Sequence, residues 1–217
     1  MLFRSNKFGI DTATVIRIFQ QKEEFAHLDI IGLHMHIGSQ ITESAPYIKA
    51  IRRASVLISK LRKLGHRIEY LNIGGGLGIV YHNEKPQTAK RFAGAVMPLL
   101  KSLGIKLILE PGRFISGNSG ILVAKVLYVK KSPKKNFIIV DAGMNDLMRP
   151  SLYGAYHEIL PVHRTSYIVH RRKYDIVGPI FESADFIAKD RAMPDIQEGE
   201  YLAVMGAGAY GFSMSSN

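Results

Sequence analysis

Apolar and polar positions change their period several times along this chain. Asp11 is placed to N-cap a helix whose apolar positions Val15, Ile18, Phe19 and Phe25 follow helical spacing. The near-continuous apolar run from Leu28 to Met35 (LDIIGLHM) predicts a buried strand. Thr42 or Ser44 then opens a helix with Ile48, Ile51, Ile58, Leu61 and Leu64 on one face, stopped by Gly65. A short apolar run from Ile68 to Ile73 predicts a second buried strand. Thr88 to Leu103 is helical again, with Phe92, Leu99, Leu100 and Leu103 inward. Pro98 should kink or split that helix, because its ring clashes with the carbonyl four residues back. Gly104 ends it, and Ile105 to Leu109 predicts a third strand.

Strand and helix therefore alternate at about 35 to 40 residues, the pattern of a parallel α/β sheet. After Glu110 the texture changes. Ile121–Val129, Phe137–Val140, Ser166–Val177 and Tyr201–Met205 all read as strands, and no convincing amphipathic helix lies among them. Residues 1–117 and 118–217 are expected to be separate domains, joined at Gly117-Asn118-Ser119-Gly120.

Composition narrows the chemistry. The chain has 217 residues and no cysteine, which excludes disulfides, thiolate metal sites and a thiol nucleophile. No apolar run is long enough to span a bilayer. The first residues carry no apolar signal core and no Asn-x-Ser/Thr sequon occurs, so the expected address is cytoplasmic, with no membrane partner. The net charge of +11 raises the question of nucleic acid, against a basic background or a missing acidic partner. The basic residues are scattered, with no run of five and no aromatic interleaving, so no nucleic-acid partner is expected.

Each predicted α/β strand ends in a distinctive cluster: His34 to Gln40 (HMHIGSQ), Gly74 to Gly78 (GGGLG) and Glu110 to Arg113 (EPGR). In a (β/α) barrel, function gathers at such strand ends. Bare glycine amides can cradle a phosphate, although a flexible turn would also use a glycine triplet. The spacing fits neither a dinucleotide fingerprint nor a P-loop. Glu110 could pair with the ring nitrogen of a heterocyclic cofactor, making the ring an electron sink, or serve as a cap or a salt-bridge partner of Arg113. His34 and His36, two apart on a strand, face one side. They could present a flat imidazole to a planar ring, sit in the core on backbone partners, or bind a metal. A metal site needs further ligands that the later strand ends do not supply, so no metal is expected.

These clusters, with residues 141–157 (DAGMNDLMRPSLYGAYH), 182–185 (ESAD) and 206–211 (GAGAYG), resemble the diaminopimelate decarboxylase family. That family belongs to the fold-type III, alanine-racemase-like group of pyridoxal-phosphate enzymes. The resemblance runs in order over nearly the whole chain. It implies an α/β plus β architecture: the C-terminal strands of a (β/α)8 TIM barrel, then a mostly β C-terminal domain. It implies pyridoxal 5'-phosphate as cofactor, a small amino-acid substrate, a homodimer, and the conversion of meso-diaminopimelate to L-lysine and CO2. His36 resembles the histidine stacked on the pyridine ring and Ser39 a phosphate contact. Gly74, Gly75 and Gly76 match the phosphate loop, joined by Gly112 and Arg113. Glu110 matches the partner of the ring nitrogen. Arg113, Arg149 and Tyr153 match groups that hold substrate carboxylates. Tyr210 matches a tyrosine near cofactor and substrate, and Glu182 a residue reaching into the other subunit's site.

The chain departs from the family pattern in three ways. No Tyr-Ala-x-Lys-Ala-Asn-like motif with a Schiff-base lysine occurs, so the chain is expected to begin near the fifth barrel strand as an internal fragment. It stops at Asn217, where the family continues. Phe181 stands where the family carries its catalytic cysteine, and Ala184 replaces a family glycine. A phenyl ring cannot donate a proton, and three strands of an eight-stranded barrel leave open edges. The fragment alone is therefore expected to be inactive. The alternatives are a related decarboxylase acting on carboxynorspermidine, ornithine or arginine, a non-catalytic remnant, or one half of a split gene.

Overall fold

The computed structural model describes residues 7–163 and 171–217. The chain divides into two compact units, Met1–Gly78 with Pro86–Pro111, and Ile79–Lys85 with Gly112–Asn217.

The first unit begins with α1 (Thr12–Gln20), N-capped by the Asp11 carboxylate, which accepts from the Thr14 N–H. Strand β1 (Gly32–His34), α2 (Ala45–Lys63), β2 (Tyr70–Asn72), α3 (Ala89–Lys101) and β3 (Lys106–Ile108) follow in alternation. The strands form a parallel sheet in the order β1-β2-β3, in the registers Leu33–Leu71–Leu107 and His34–Asn72–Ile108. The middle leucine, Leu71, is fully buried. Ser44 is the N-cap residue of α2, and its hydroxyl reaches Gln87. Tyr47, Ile51, Ile58 and Leu61 form the buried face of this helix, whereas Leu64 is exposed at its end. Gly65 takes φ +84° just beyond the cap.

Two expectations are corrected in this unit. The ladder of β1 spans three residues rather than the whole Leu28–Met35 run. A 3-10 turn at Lys22–Phe25 precedes the run, the Leu28 N–H bonds back to the Phe25 carbonyl, and Leu28 is 65% exposed, so the start of the run belongs to that turn and not to the ladder. Pro98 does not split α3, which continues to Lys101. Pro98 has no N–H to donate to the Gly94 carbonyl four residues back, so the helix loses one backbone bond there, and the turns on either side carry it through.

The second unit opens with a short helix α4 (Gly112–Ser116), then β4 (Leu122–Lys130) and β5 (Asn136–Val140). A five-residue helix α5 (Arg149–Tyr153), β6 (Ile159–Pro161), β7 (Arg172–Val177), β8 (Phe186–Met193) and β9 (Tyr201–Val204) complete it. The six strands form a mixed sheet in the order β6-β9-β4-β5-β7-β8, in which only β5 and β7 run parallel. The alternation in β4 buries Ala124 and Val126 and exposes Val123 and Lys125. The core gathers Ile138, Val140, Leu147, Tyr174, Ile176, Ile187 and Leu202.

No amphipathic helix of any length lies among the described strands of this half; its two α-helices have five residues each. Both α4 and α5 are too short to show a helical period. The strand predicted over Ser166–Val177 is seen at Arg172–Val177, and its part up to His170 lies outside the described residues. Among the described residues no helix is long and apolar enough to cross a membrane.

Candidate active site

Parallel register places the ends of β1, β2 and β3 side by side, because His34, Asn72 and Ile108 are paired across the sheet. The three clusters read from the sequence therefore leave the sheet at one edge. Asn72 is the hub. Its Oδ1 accepts from the Gly74 N–H at 2.8 Å, which fixes its amide orientation, and its Nδ2 donates to Glu110 Oε1 at 2.6 Å. His34 Nε2 lies 3.5 Å from the same oxygen. Glu110 is thus held by two neighbours on one oxygen, with its side chain 49% exposed.

The glycine loop is shaped by close backbone approach. A Cβ on Gly75 would run into the Glu110 carbonyl oxygen, and a Cβ on Gly76, at φ +90°, would run into that of Gly38. The Gly74 carbonyl accepts from the Glu110 N–H at 2.9 Å, so loop and carboxylate are tied through main chain as well. The Gly75 N–H points to His36 Nδ1 at 3.4 Å, and the Gly75 carbonyl accepts from the Tyr47 hydroxyl at 2.8 Å. Burial pushes the Tyr47 hydroxyl pKa up to about 12, keeping it a donor. Two of the glycine amides thus already donate within the fold, whereas the sequence suggested amides bare to an anion.

The structure also separates the two histidines. Only His34 lies on the strand; His36 follows it in the loop, beside Gly75. Ser39 is exposed in the same loop. Among the described residues no group of three or more His, Cys, Asp or Glu is arranged to hold a metal.

The second unit carries the other candidates. Arg113, on α4, donates to the Tyr81 hydroxyl at 2.6 Å and lies over the Tyr210 ring at 4.8 Å. Arg149 begins α5 and is 7% exposed. Its guanidinium sits over the Tyr81 ring at 4.5 Å and contacts His157 Nε2 at 2.8 Å. Burial lowers its pKa, although a guanidinium remains charged in a protein. Tyr210, in the segment after β9, takes φ +58° and is 44% exposed. Gly112 and Tyr153 are exposed.

Glu182 and Phe181 lie on an exposed loop, with Phe181 fully solvent-facing. That loop is fixed by buried Asp185, whose carboxylate accepts from the Met144 and Ile180 N–H groups at 2.6 and 2.7 Å. Asp185 thereby ties the 182–185 segment to the segment that leads into α5.

Sequence reading missed Asn72, Tyr47, Tyr81 and the role of His157. Asn72 alone gave a signal, a polar side chain ending an apolar strand directly before the glycines. The others act through contacts made only on folding.

The family described as "Pyridoxal-dependent decarboxylase, C-terminal sheet domain" matches residues 13–208. A diaminopimelate decarboxylase of Aquifex aeolicus is 48% identical over 217 residues, covering 99% of this chain and 51% of that protein. One of Vibrio cholerae is 44% identical over 215 residues, with the same coverage. The crystal structure of diaminopimelate decarboxylase from Helicobacter pylori complexed with L-lysine superposes with a TM-score of 0.91 at 38% identity. It is matched over 98% of this chain and 52% of its own. The M. jannaschii enzyme in complex with L-lysine gives 0.92 at 35% identity, over 99% of this chain and 50% of its own. The chain spans about half the length of these relatives. With three clustered strand ends in one unit, a mixed sheet in the other and a family match over residues 13–208, the chain belongs to the pyridoxal-dependent decarboxylase family.

Proposed function

We propose that this chain supplies part of a pyridoxal 5'-phosphate-dependent decarboxylase that converts meso-diaminopimelate to L-lysine and CO2. The observation that carries the reading is the Asn72–Glu110–His34 network beside Gly74–Gly76, at the shared edge of three parallel strands. We read residues 1–117 as the C-terminal part of a TIM barrel and 118–217 as the β-rich domain of the full enzyme, a cytoplasmic homodimer.

The residues present fit the cofactor. Glycine at 75 and 76 is required where strand ends meet, and Glu110 presents a carboxylate oriented on one oxygen by Asn72 and His34. Glu110 would hold a protonated ring nitrogen and His36 would lie against the ring. In the first unit Ser39 and Gly76, carried by the Gly74–Gly75 turn whose own amides donate within the fold, would serve the phosphate end, and Gly112, Arg113 and Tyr210 are the candidates for it in the second unit. Bound there, pyridoxal phosphate would supply an electron sink for the pair left when the carboxylate departs as CO2. Arg113, Arg149 and Tyr153 would orient the substrate by its carboxylates, with Tyr210 near it and Glu182 reading its distal end in the partner's site. One proton must replace each CO2 lost. Phe181 cannot give it, and the sequence has no Schiff-base lysine motif, so the 217 residues alone do not turn over substrate.

The test is complementation. The chain, as wild type and as Phe181→Cys, is co-expressed with the half of the Aquifex aeolicus relative that it does not match, and CO2 release is followed. The reading expects none from the chain alone and release from meso-diaminopimelate by the complemented Phe181→Cys protein. Equal or better turnover of ornithine would overturn the substrate assignment.

A further inference from the structure

His157 is fully buried, ends the 141–157 segment, and has no part in the chemistry above. Its two ring nitrogens have different partners. Nδ1 lies 2.8 Å from the Met205 carbonyl oxygen, which can only accept, so Nδ1 carries the proton. Nε2 is then a bare acceptor and receives the Arg149 NH1 group at 2.8 Å. The Tyr81 ring packs against both partners, edge-on to His157 at 5.6 Å between centroids and under the Arg149 guanidinium.

Among the described residues, the charged and titratable groups that act most strongly on this pair are Tyr81, Arg113, Tyr153 and Tyr210 on Arg149, and Arg149 and Arg191 on His157. None is a carboxylate, and among the described residues no ion pair to Arg149 occurs. A buried guanidinium is ordinarily fixed by Asp or Glu, because an isolated charge is costly to desolvate. Here the fixing group is neutral. It sets the plane of the guanidinium and leaves its full positive charge for an incoming anion.

We infer that His157 is the positioning residue for Arg149, holding its fork toward a substrate carboxylate with a neutral acceptor where a carboxylate would cancel the charge. This rests on the reading of Arg149 as a carboxylate-binding residue. Two protonation states could oppose it. The other tautomer, with the proton on Nε2, would face Arg149 donor to donor. The imidazolium would add a second positive charge, and burial together with Arg149 disfavours that form.

The experiment measures calorimetric affinity of the 217-residue chain for meso-diaminopimelate, with no cofactor added. Arg149→Gln should weaken binding by about tenfold or more. His157→Asn, a neutral side chain that both accepts and donates, should stay within about threefold of wild type. His157→Glu should weaken binding about tenfold although it still accepts from Arg149, because it neutralises the cation. His157→Leu should also weaken it about tenfold, because the fork loses its anchor. A purely structural role would let His157→Glu fold and bind like His157→Asn. Should the Glu and Leu variants not fold, nitrogen-15 NMR of the wild-type imidazole decides, with the proton expected on Nδ1. A proton on Nε2, or unimpaired binding by folded His157→Glu and His157→Leu while Arg149→Gln is impaired, overturns the inference alone. Wild-type affinity that Arg149→Gln leaves unchanged, or no saturable wild-type binding, overturns the reading of Arg149 and the inference with it.

Discussion

In the six-stranded sheet, Ile138, Val140, Tyr174 and Leu202 are wholly buried, whereas in the three-stranded sheet Leu71 alone among the strand residues is. The candidate residues differ in the same way. Arg149, His157 and Asp185 are buried and satisfied by internal partners, so burial shifts Arg149 and His157 downward in pKa. His34 and Glu110 are about half exposed at strand ends, at 55% and 49%, and are placed by register and by glycine contacts. One unit fixes its chemistry by packing around side chains. The other fixes it by bringing bare backbone together.

Core truncation separates the two most strongly. Leu202→Ala in the larger sheet should cost about 2–5 kcal/mol, as a fully buried leucine leaves a cavity. Leu107→Ala, half-buried on β3, should cost roughly 1 kcal/mol. Urea unfolding measures both, and equal costs would break the contrast.

Glycine substitutions sharpen it next. Gly75→Ala should destabilise by at least about 2 kcal/mol, because the new methyl meets the Glu110 carbonyl. Gly94→Ala, in open space on α3, should stabilise by about 0.5–1 kcal/mol. Thermal melts of the two variants should therefore move in opposite directions.

Acid sensitivity belongs to the packed unit. Burial, and then the Arg149 charge, hold the folded pKa of His157 below its ordinary value of about 6.5. The unfolded chain therefore binds more protons below that pH, and this residue's contribution to stability falls as pH drops through the window. His157→Asn should flatten the slope of unfolding free energy against pH there. An unchanged slope would show that His157 does not titrate as its burial requires.

How far the sequence speaks also follows the division. Asp11 as a cap, Gly65 as a stop and the three strand-end clusters are legible because each rests on local chemistry or on period. Strand β8 is not. Its Lys189-Asp190-Arg191 stretch breaks the alternation, and Asp190 sits at φ +51° while its N–H is held by buried Asp175. Helix α5 is too short for any period to show. The hub role of Asn72 and the Arg149–His157 contact depend on partners from 8 to 38 residues away, which no local pattern reports.

The smallest expected effect is at α1. Asp11→Ala removes the acceptor of the Thr14 N–H at an exposed helix end and should cost about 1 kcal/mol at most. Its readout is faster amide exchange confined to that helix.

The central claim is that three strand ends form a binding edge for pyridoxal phosphate, and titration of the cofactor into the 217-residue chain tests it most directly. Absorbance and fluorescence should report saturable, weak binding, reduced about tenfold by Glu110→Ala. Borohydride reduction followed by peptide mapping should find no single dominant modified lysine. Absence of saturable binding, binding indifferent to Glu110→Ala, or one stoichiometric lysine adduct lost on Gly75→Ala would contradict the account.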